Sequence, residues 1–190
     1  MTEQAYDKAV SLMDAANSED PNIEMTDGKE WPKELLYSHR MADMLARYKP
    51  EKDDVAKLAI RGQHIQRWKS PRSDFPMNRQ GYLQWRTQLY KFHAETTATL
   101  MAEAGYDEVA LERVKKAVGK RAIKVNDDTQ LLEDFASRVF IEHYMLAFAE
   151  KHPEYDEEKW INIVQKTWQK MSADAHAFAL SGNITLPEPL

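Results

Sequence analysis

There is no cysteine among the 190 residues of this chain, which excludes disulfides, cysteine-bound zinc and thiol nucleophiles. Glycine is scarce, at six residues, and none forms a phosphate-cradling loop or a dinucleotide fingerprint. No apolar run approaches the roughly 18 residues that a bilayer span requires. The opening stretch MTEQAYDKAV lacks the basic-then-apolar form of a secretory signal. Net charge is small: 26 basic and 31 acidic side chains leave −5, so broad nucleic-acid binding is not expected. No serine sits in a nucleophile elbow, and IEHYM and KHPEYDEEK lack the paired-histidine spacing of helical zinc proteases. These absences leave a cytoplasmic protein without membrane segments as the expectation.

What the chain does have is helical period. Hydrophobic residues make up 43% and charged residues 30%, enough for a core under a charged surface in one domain over 1–190. The pattern predicts an all-α bundle of seven to eight helices. An N-terminal helix and loop occupy 1–30, the core 32–180 and an extended tail 181–190. Thr2 is placed to cap the first helix, whose apolar face is Ala5, Tyr6, Ala9, Val10, Met13 and Ala16. A loop, SEDPNIEMTDGKEW, leads to Pro32, which opens a second helix with Leu35, Leu36, His39, Ala42 and Ala46 on its core side. A third helix runs from near Asp53 to Trp68. The stretch KSPRSDFPMNRQG is too proline-rich for helix and long enough for an active-site loop. Further helices cover about 81–104, 107–118, 128–150 and 156–171, and Ser172 caps a last one ending at Leu180. No strand is expected.

The residues that carry chemistry lie on four of these helices: His39, His64, His93 and the pair Glu133-Asp134. Imidazoles and carboxylates meeting at a bundle's centre suit a first-row divalent metal. Each also has a plainer explanation. His39 shares helical spacing with Leu35, Leu36 and Ala42 and reads first as a core histidine bonded to a carbonyl. Arg61, His64 and Trp68 share a face, and Gly62 between them marks a tight helix crossing or room for a ligand. Arg67 and Arg72 lie just beyond.

On the fourth helix Arg86, Tyr90 and His93 share a face, with Tyr82 one turn earlier and Trp85 alongside. Arginines interleaved with aromatics can fork a phosphate while a ring stacks on a base. The alternative is core aromatics with a rim of solvated arginines. Asp134, Arg138 and Glu142, spaced by four, are either carboxylates awaiting a cation or an intrahelical ion pair. His152 and His176 read as exposed, and His143 has no clear role.

The stretches YSHRMADMLARY, LAIRGQHIQRWKSPRSDFPMNRQGYLQWRTQLYKFHAETTATLMAEAGY and QLLEDFASRVFIEHY, with KTWQKMS further on, resemble the DUF4202 family. More loosely they resemble the HD superfamily of metal-dependent phosphohydrolases. The resemblance covers most of the chain from about residue 35 onward and implies an HD-like helical bundle. The HD pattern is a first His, a His-Asp pair on a later helix, and a final Asp further on. The resemblance places these at His39, His64 and Asp134, with His93 and Glu133 as additional ligands. The Asp of the His-Asp pair is missing, because Ile65 stands there.

The implied activity is hydrolysis of a phosphorylated small molecule or nucleotide. A divalent metal (Mn, Fe, Ni or Zn) would polarise water, and Arg61, Arg67, Arg72 and Arg86 would neutralise the phosphate. Tyr82, Trp85, Tyr90 and Trp68 would line the substrate. Ile65 supports an alternative, a degenerate HD fold that binds a nucleotide, a phosphate or a partner without chemistry. Oxygen chemistry at two metals would need more His and Asp ligands than the chain supplies.

Overall fold

Apolar side chains recur at helical spacing along nearly the whole chain. In the computed structural model, which describes residues 3–186, they pack nine α-helices around one core. These are α1 (Glu3–Ser18), α2 (Lys33–Tyr48), α3 (Asp54–Arg61), α4 (Arg79–Ala104), α5 (Glu108–Val118), α6 (Asp127–Val139), α7 (Met145–Glu150), α8 (Glu157–Lys170) and α9 (Ala173–Leu180). Helix starts follow their capping residues. Asp53, Asn78, Asp107, Asn126, Asp156 and Ser172 each accept a backbone N–H three residues on. Helix α4 stops at Gly105, whose φ of +101° suits glycine. The predicted helical class therefore holds. The Thr2 cap and the end of the tail, 187–190, lie outside the described residues.

Four local expectations need correction. A short antiparallel hairpin, β1 (Ile23–Thr26) and β2 (Lys29–Pro32), replaces the expected loop. Asp27 and Gly28 turn it, with φ of 50° and 72°, a conformation Asp-Gly favours between two strands. The third helix ends at Arg61 instead of Trp68, because the chain turns sharply through Gln66. The helix expected over 128–150 is interrupted by a π-turn over Phe140–Tyr144, which separates α6 from α7. Finally, α2 is rotated relative to expectation. Met41 and Met44, both 0% exposed, define its core face, and His39, two residues and about 200° from Met41, is exposed.

The core gathers Met13, Met41, Met44, Leu58, Ile65, Met101, Leu132 and Phe135. Helix α4 packs against α1 and α5, and α3 sits between α1, α2 and α5. The turn just past α3 crosses close to α4 at Gly62, where Thr97 Oγ1 donates to the Gly62 carbonyl at 3.3 Å. A Cβ at Gly62 would lie 2.3 Å from Thr97 Oγ1 and 2.6 Å from Thr97 Cγ2. Gly62→Ala is therefore expected to cost about 1–3 kcal/mol, the range for overpacking a filled interior. Denaturant unfolding should show Thr97→Ala recovering part of that loss in the double variant, since it removes the atoms being met. A double variant that is simply additive would contradict the crossing. No helix among the described residues is long and apolar enough to cross a membrane.

Candidate functional site

The turn that ends α3 carries the centre of the site. Gln66 adopts a left-handed φ of 49°, and its N–H donates to Asn17 Oδ1 on α1 at 2.9 Å. This anchors the tight turn that lays His64 flat on Tyr37 of α2, with ring centroids 3.9 Å apart and planes at 14°. One turn on, Arg67 Nη1 donates to His64 Nε2 at 3.2 Å. Arginine can only donate, so Nε2 accepts and the neutral ring carries its proton on Nδ1. Nδ1 lies 3.4 Å from Glu34 Oε2. Glu34 is buried in the first turn of α2, where its own N–H donates to Asp20 Oδ2 at 3.0 Å. Burial pushes its carboxyl up to about 7, against the pull of Arg67 and Lys33.

Helix α4 supplies the second side. His93 is 2% exposed, its ring lies 5.9 Å from that of His64, and its Nε2 has no hydrogen-bond partner. Two turns earlier Arg86 donates to Tyr90 Oη at 2.6 Å. Trp85 supports Arg67, whose guanidinium lies 5.2 Å from the indole centroid, while the indole N–H donates to the Ser70 carbonyl at 2.8 Å. The third side comes from the segment after α5. Lys120, at φ 53°, donates to Glu133 Oε2 of α6 at 2.7 Å and sits 5.6 Å from the Tyr90 ring centroid. Ala122 and Lys124, further along the same segment, also have left-handed φ, of 55° and 70°. Such conformations cost on the order of 1 kcal/mol each in residues other than glycine.

The charges follow from this packing. Burial, then Arg67, Lys120 and Arg86, holds His64 well below its ordinary range. Burial, then His64 and the same cations, does so for His93. Both imidazoles are neutral at neutral pH. Burial raises the Glu133 carboxyl, but Lys120, Lys170 and Arg86 outweigh it, so Glu133 stays ionised. The result is two neutral rings and a titratable carboxyl ringed by Arg67, Arg86 and Lys120. That arrangement suits an anion with a proton to exchange.

The other expected site residues sit elsewhere. His39 is exposed, 3.8 Å from Asp14 and beside the Trp31 ring, with centroids 5.3 Å apart. Arg61 forks the same Asp14, with both oxygens at 2.7 Å. Arg72 clasps the loop, donating to the carbonyls of Phe75, Pro76 and Asn78. Asp134 accepts from Ser172 N–H at 2.7 Å, Ser172 Oγ at 2.5 Å and Gln130 Nε2 at 3.0 Å. Arg138 donates to the Asp134 backbone carbonyl, not to its carboxylate, and is fully buried. Tyr82 is exposed near Trp85, and Trp68 is partly buried on a 3-10 turn.

His39, His64 and Asp134 are thus not brought to one point. The first faces outward, and the last is spent on the start of α9, about 100° round α6 from Glu133. Among the described residues, no three His, Cys, Asp or Glu side chains are arranged to hold a metal ion. The implied ligand set does not fit. Ile65 fills the core at 0% exposure, so no ligand stands in the position of the missing Asp.

Of the expected residues, His64, His93, Arg67, Arg86, Trp85, Tyr90 and Glu133 do converge. Glu34, Tyr37 and Lys120 join them without having been expected. Glu34 had one sequence signal, its helical spacing with Tyr37 and Met41. Lys120 had none, because it lies in an irregular segment past a helix end. Comparisons with curated proteins and with solved structures give no match. A family model described as a domain of unknown function, DUF4202, matches residues 7–190. That span contains every residue of the site, and the chain belongs to the DUF4202 family.

Proposed function

We propose that this protein binds a phosphorylated small molecule or nucleotide among Arg67, Arg86 and Lys120 and hydrolyses its phosphoester. The observation that carries the reading is the convergence of these three cations, from three separate segments, on the neutral His64–His93 pair. The cations neutralise the phosphoryl oxygens. His93, neutral and with a free ring nitrogen, takes the proton of the attacking water. The water oxygen bonds to phosphorus, the ester P–O bond breaks, and the leaving oxygen takes up a proton from solvent, to which His93 returns the one it took. Glu34 and Arg67 orient His64 from either side.

Phosphate release from a panel of nucleotides and sugar phosphates tests this. Arg86→Ala is expected to raise KM at least tenfold, and His93→Ala to lower kcat at least tenfold. Turnover indifferent to both would remove the reaction from this site. Phosphate binding without turnover identifies the second reading, a non-catalytic phosphate-binding module. Arg67 favours that reading by occupying His64 Nε2, which takes this nitrogen out of service as a base. The metal-dependent form implied by the HD resemblance is tested by adding Mn, Fe, Ni or Zn. Turnover that needs the metal and is lost in His39→Ala would restore that ligand set, since His39 is exposed and its loss spares the fold.

A further inference from the structure

The net charge of −5 conceals an uneven distribution. Six of the 26 basic residues fall between Arg113 and Lys124, a stretch with no acidic residue, so the rest of the chain sets 20 basic against 31 acidic side chains. Three of the six are committed to ion pairs: Arg113 with Asp53 and Asp128, Lys115 with Glu112, and Lys120 with Glu133. Lys116, Arg121 and Lys124 are exposed and pair with no carboxylate among the described residues. Lys116 lies in the last turn of α5, where a cation complements the helix dipole. Arg121 and Lys124 lie beyond the helix end, so the dipole does not account for them.

Lys116 and Arg121 line a groove of about 1400 Å³ between α4 and α5. Lys91 of α4, exposed and likewise unpaired among the described residues, lines it with them. The acidic lining is confined to one end. Helix α5 runs back along α4, since a Cβ at Gly119 would lie 3.8 Å from Ala94 Cβ. Glu95 and Glu112 are therefore the lining residues nearest the α4–α5 turn, and Lys115 engages Glu112 at 3.1 Å. From the cations toward the start of α4 the lining carries no charge, with the amides of Gln80, Gln84 and Gln88 along it. The rings of Phe75, Tyr90 and Phe92 also line the groove. From Gln80 to Glu95 the helical rise covers roughly 22 Å, the length of about six stacked nucleotides at about 3.4 Å each.

Free cations along a groove call for a polyanion, and the rest of the lining says which kind. A flat bilayer surface does not enter a groove. An acidic helical peptide would lay an apolar face on an apolar floor, whereas this floor mixes amides with aromatic rings. Bases stack on such rings and bond to such amides while cations track the phosphates. We propose that this groove binds a single-stranded nucleic acid, its phosphates on Lys91, Lys116 and Arg121 and its bases against Phe75 and Phe92. The groove site uses none of Arg67, Arg86 and Lys120 and is independent of the phosphoester chemistry proposed above.

Fluorescence anisotropy of the full chain with labelled oligo(U) and oligo(dT) of about twelve nucleotides tests the idea, that length lying within the usual site sizes for single strands. Binding is expected to weaken with salt at a logarithmic slope of about −2, from about −0.7 for each of three phosphates neutralised. Lys116→Ala combined with Arg121→Ala should weaken binding at least tenfold at low salt and bring the slope to about −0.7. Both side chains are exposed, so the fold is retained. Lys151→Ala combined with Lys166→Ala makes the same change in net charge at exposed positions outside the groove and should leave affinity within twofold. Phe75→Ala should weaken binding about fivefold without changing the slope, as loss of a stacked base does. Inorganic polyphosphate and poly-glutamate are the comparison probes. Either one binding as tightly as the oligonucleotides overturns the nucleic-acid assignment in favour of a general polyanion or an acidic peptide. It is overturned equally by no oligonucleotide binding, by equal losses from the two double substitutions, or by a Phe75→Ala protein that binds like wild type.

Discussion

Asp134→Ala is expected to destabilise the protein by about 3–5 kcal/mol. The carboxylate is 3% exposed and accepts three hydrogen bonds. Two come from Ser172, which also caps α9 through the Ala175 N–H. Hydrogen bonds to an ionised group contribute about 1.5–3 kcal/mol each. A second cost comes from Arg138, which is 0% exposed and whose Nη1 and Nη2 have no hydrogen-bond partner. Its charge rests on the Tyr48 ring, 3.4 Å from the guanidinium carbon, and on the nearby Asp134 charge. Removing that charge leaves a buried cation less compensated. For a chain of this size the loss corresponds to roughly 10 °C in melting temperature.

Urea unfolding at neutral pH measures it, and Asp134→Asn, which keeps one acceptor, should lose about half as much. The loss should be the same with and without added Mn or Zn. A loss that appears only when metal is present would instead make Asp134 a ligand, since a bound ion stabilises the native state by mass action.

Glu34→Gln is expected to change how stability depends on pH. The Glu34 carboxyl titrates near 7 in the fold against an ordinary value of 4.5. Between those values the native state holds a proton that the unfolded chain has released. Stability therefore falls as pH rises through this window. The gap is worth roughly 3 kcal/mol, at about 1.4 kcal/mol per pH unit. Glu34→Gln should be the more stable protein at pH 8 by up to that amount, and nearly equal to wild type at pH 4.5.

The histidines act in the opposite sense. His64 and His93 resist protonation in the fold, so the unfolded chain binds more protons below about 6.5, and stability is lost as pH falls. Wild type should show a stability maximum on the acid side of neutral, and Glu34→Gln should move it upward. Parallel pH profiles for the two proteins would show that Glu34 is not the titrating group.

The helices were legible because their signals are local. Caps such as Asp107 and Asn126, stops such as Gly105, and the spacing of Ala9 and Met13 all act within a few residues. The hairpin also had a local signal, Asp27-Gly28, but its strands of four residues are too short for alternation to stand out. Half of the site was readable in the same way, since Arg86, Tyr90 and His93 share one helix face by spacing alone.

The remainder depends on rotation and on turns. Whether His39 or Glu34 faces inward on α2 is a matter of about 140° of helix rotation, and both faces carry apolar residues. Asp134 and Glu133 differ by one position, yet one clasps Ser172 and the other meets Lys120. No local pattern separates such neighbours.

Sequence alone determined that this is a helical protein and where most of its helices begin and end, and it offered His64, His93 and the arginines around them as candidates for chemistry. The tertiary structure decided which of those residues meet. It turned His39 outward to Asp14, set Asp134 to hold α9, and brought Glu34 and Lys120 to the His64–His93 pair. The physical reason is that helix formation is written in contacts three and four residues apart. Convergence at a site depends instead on how each helix is rotated against its neighbours, and here the packing of Met41, Met44, Leu58 and Ile65 into one core sets that rotation.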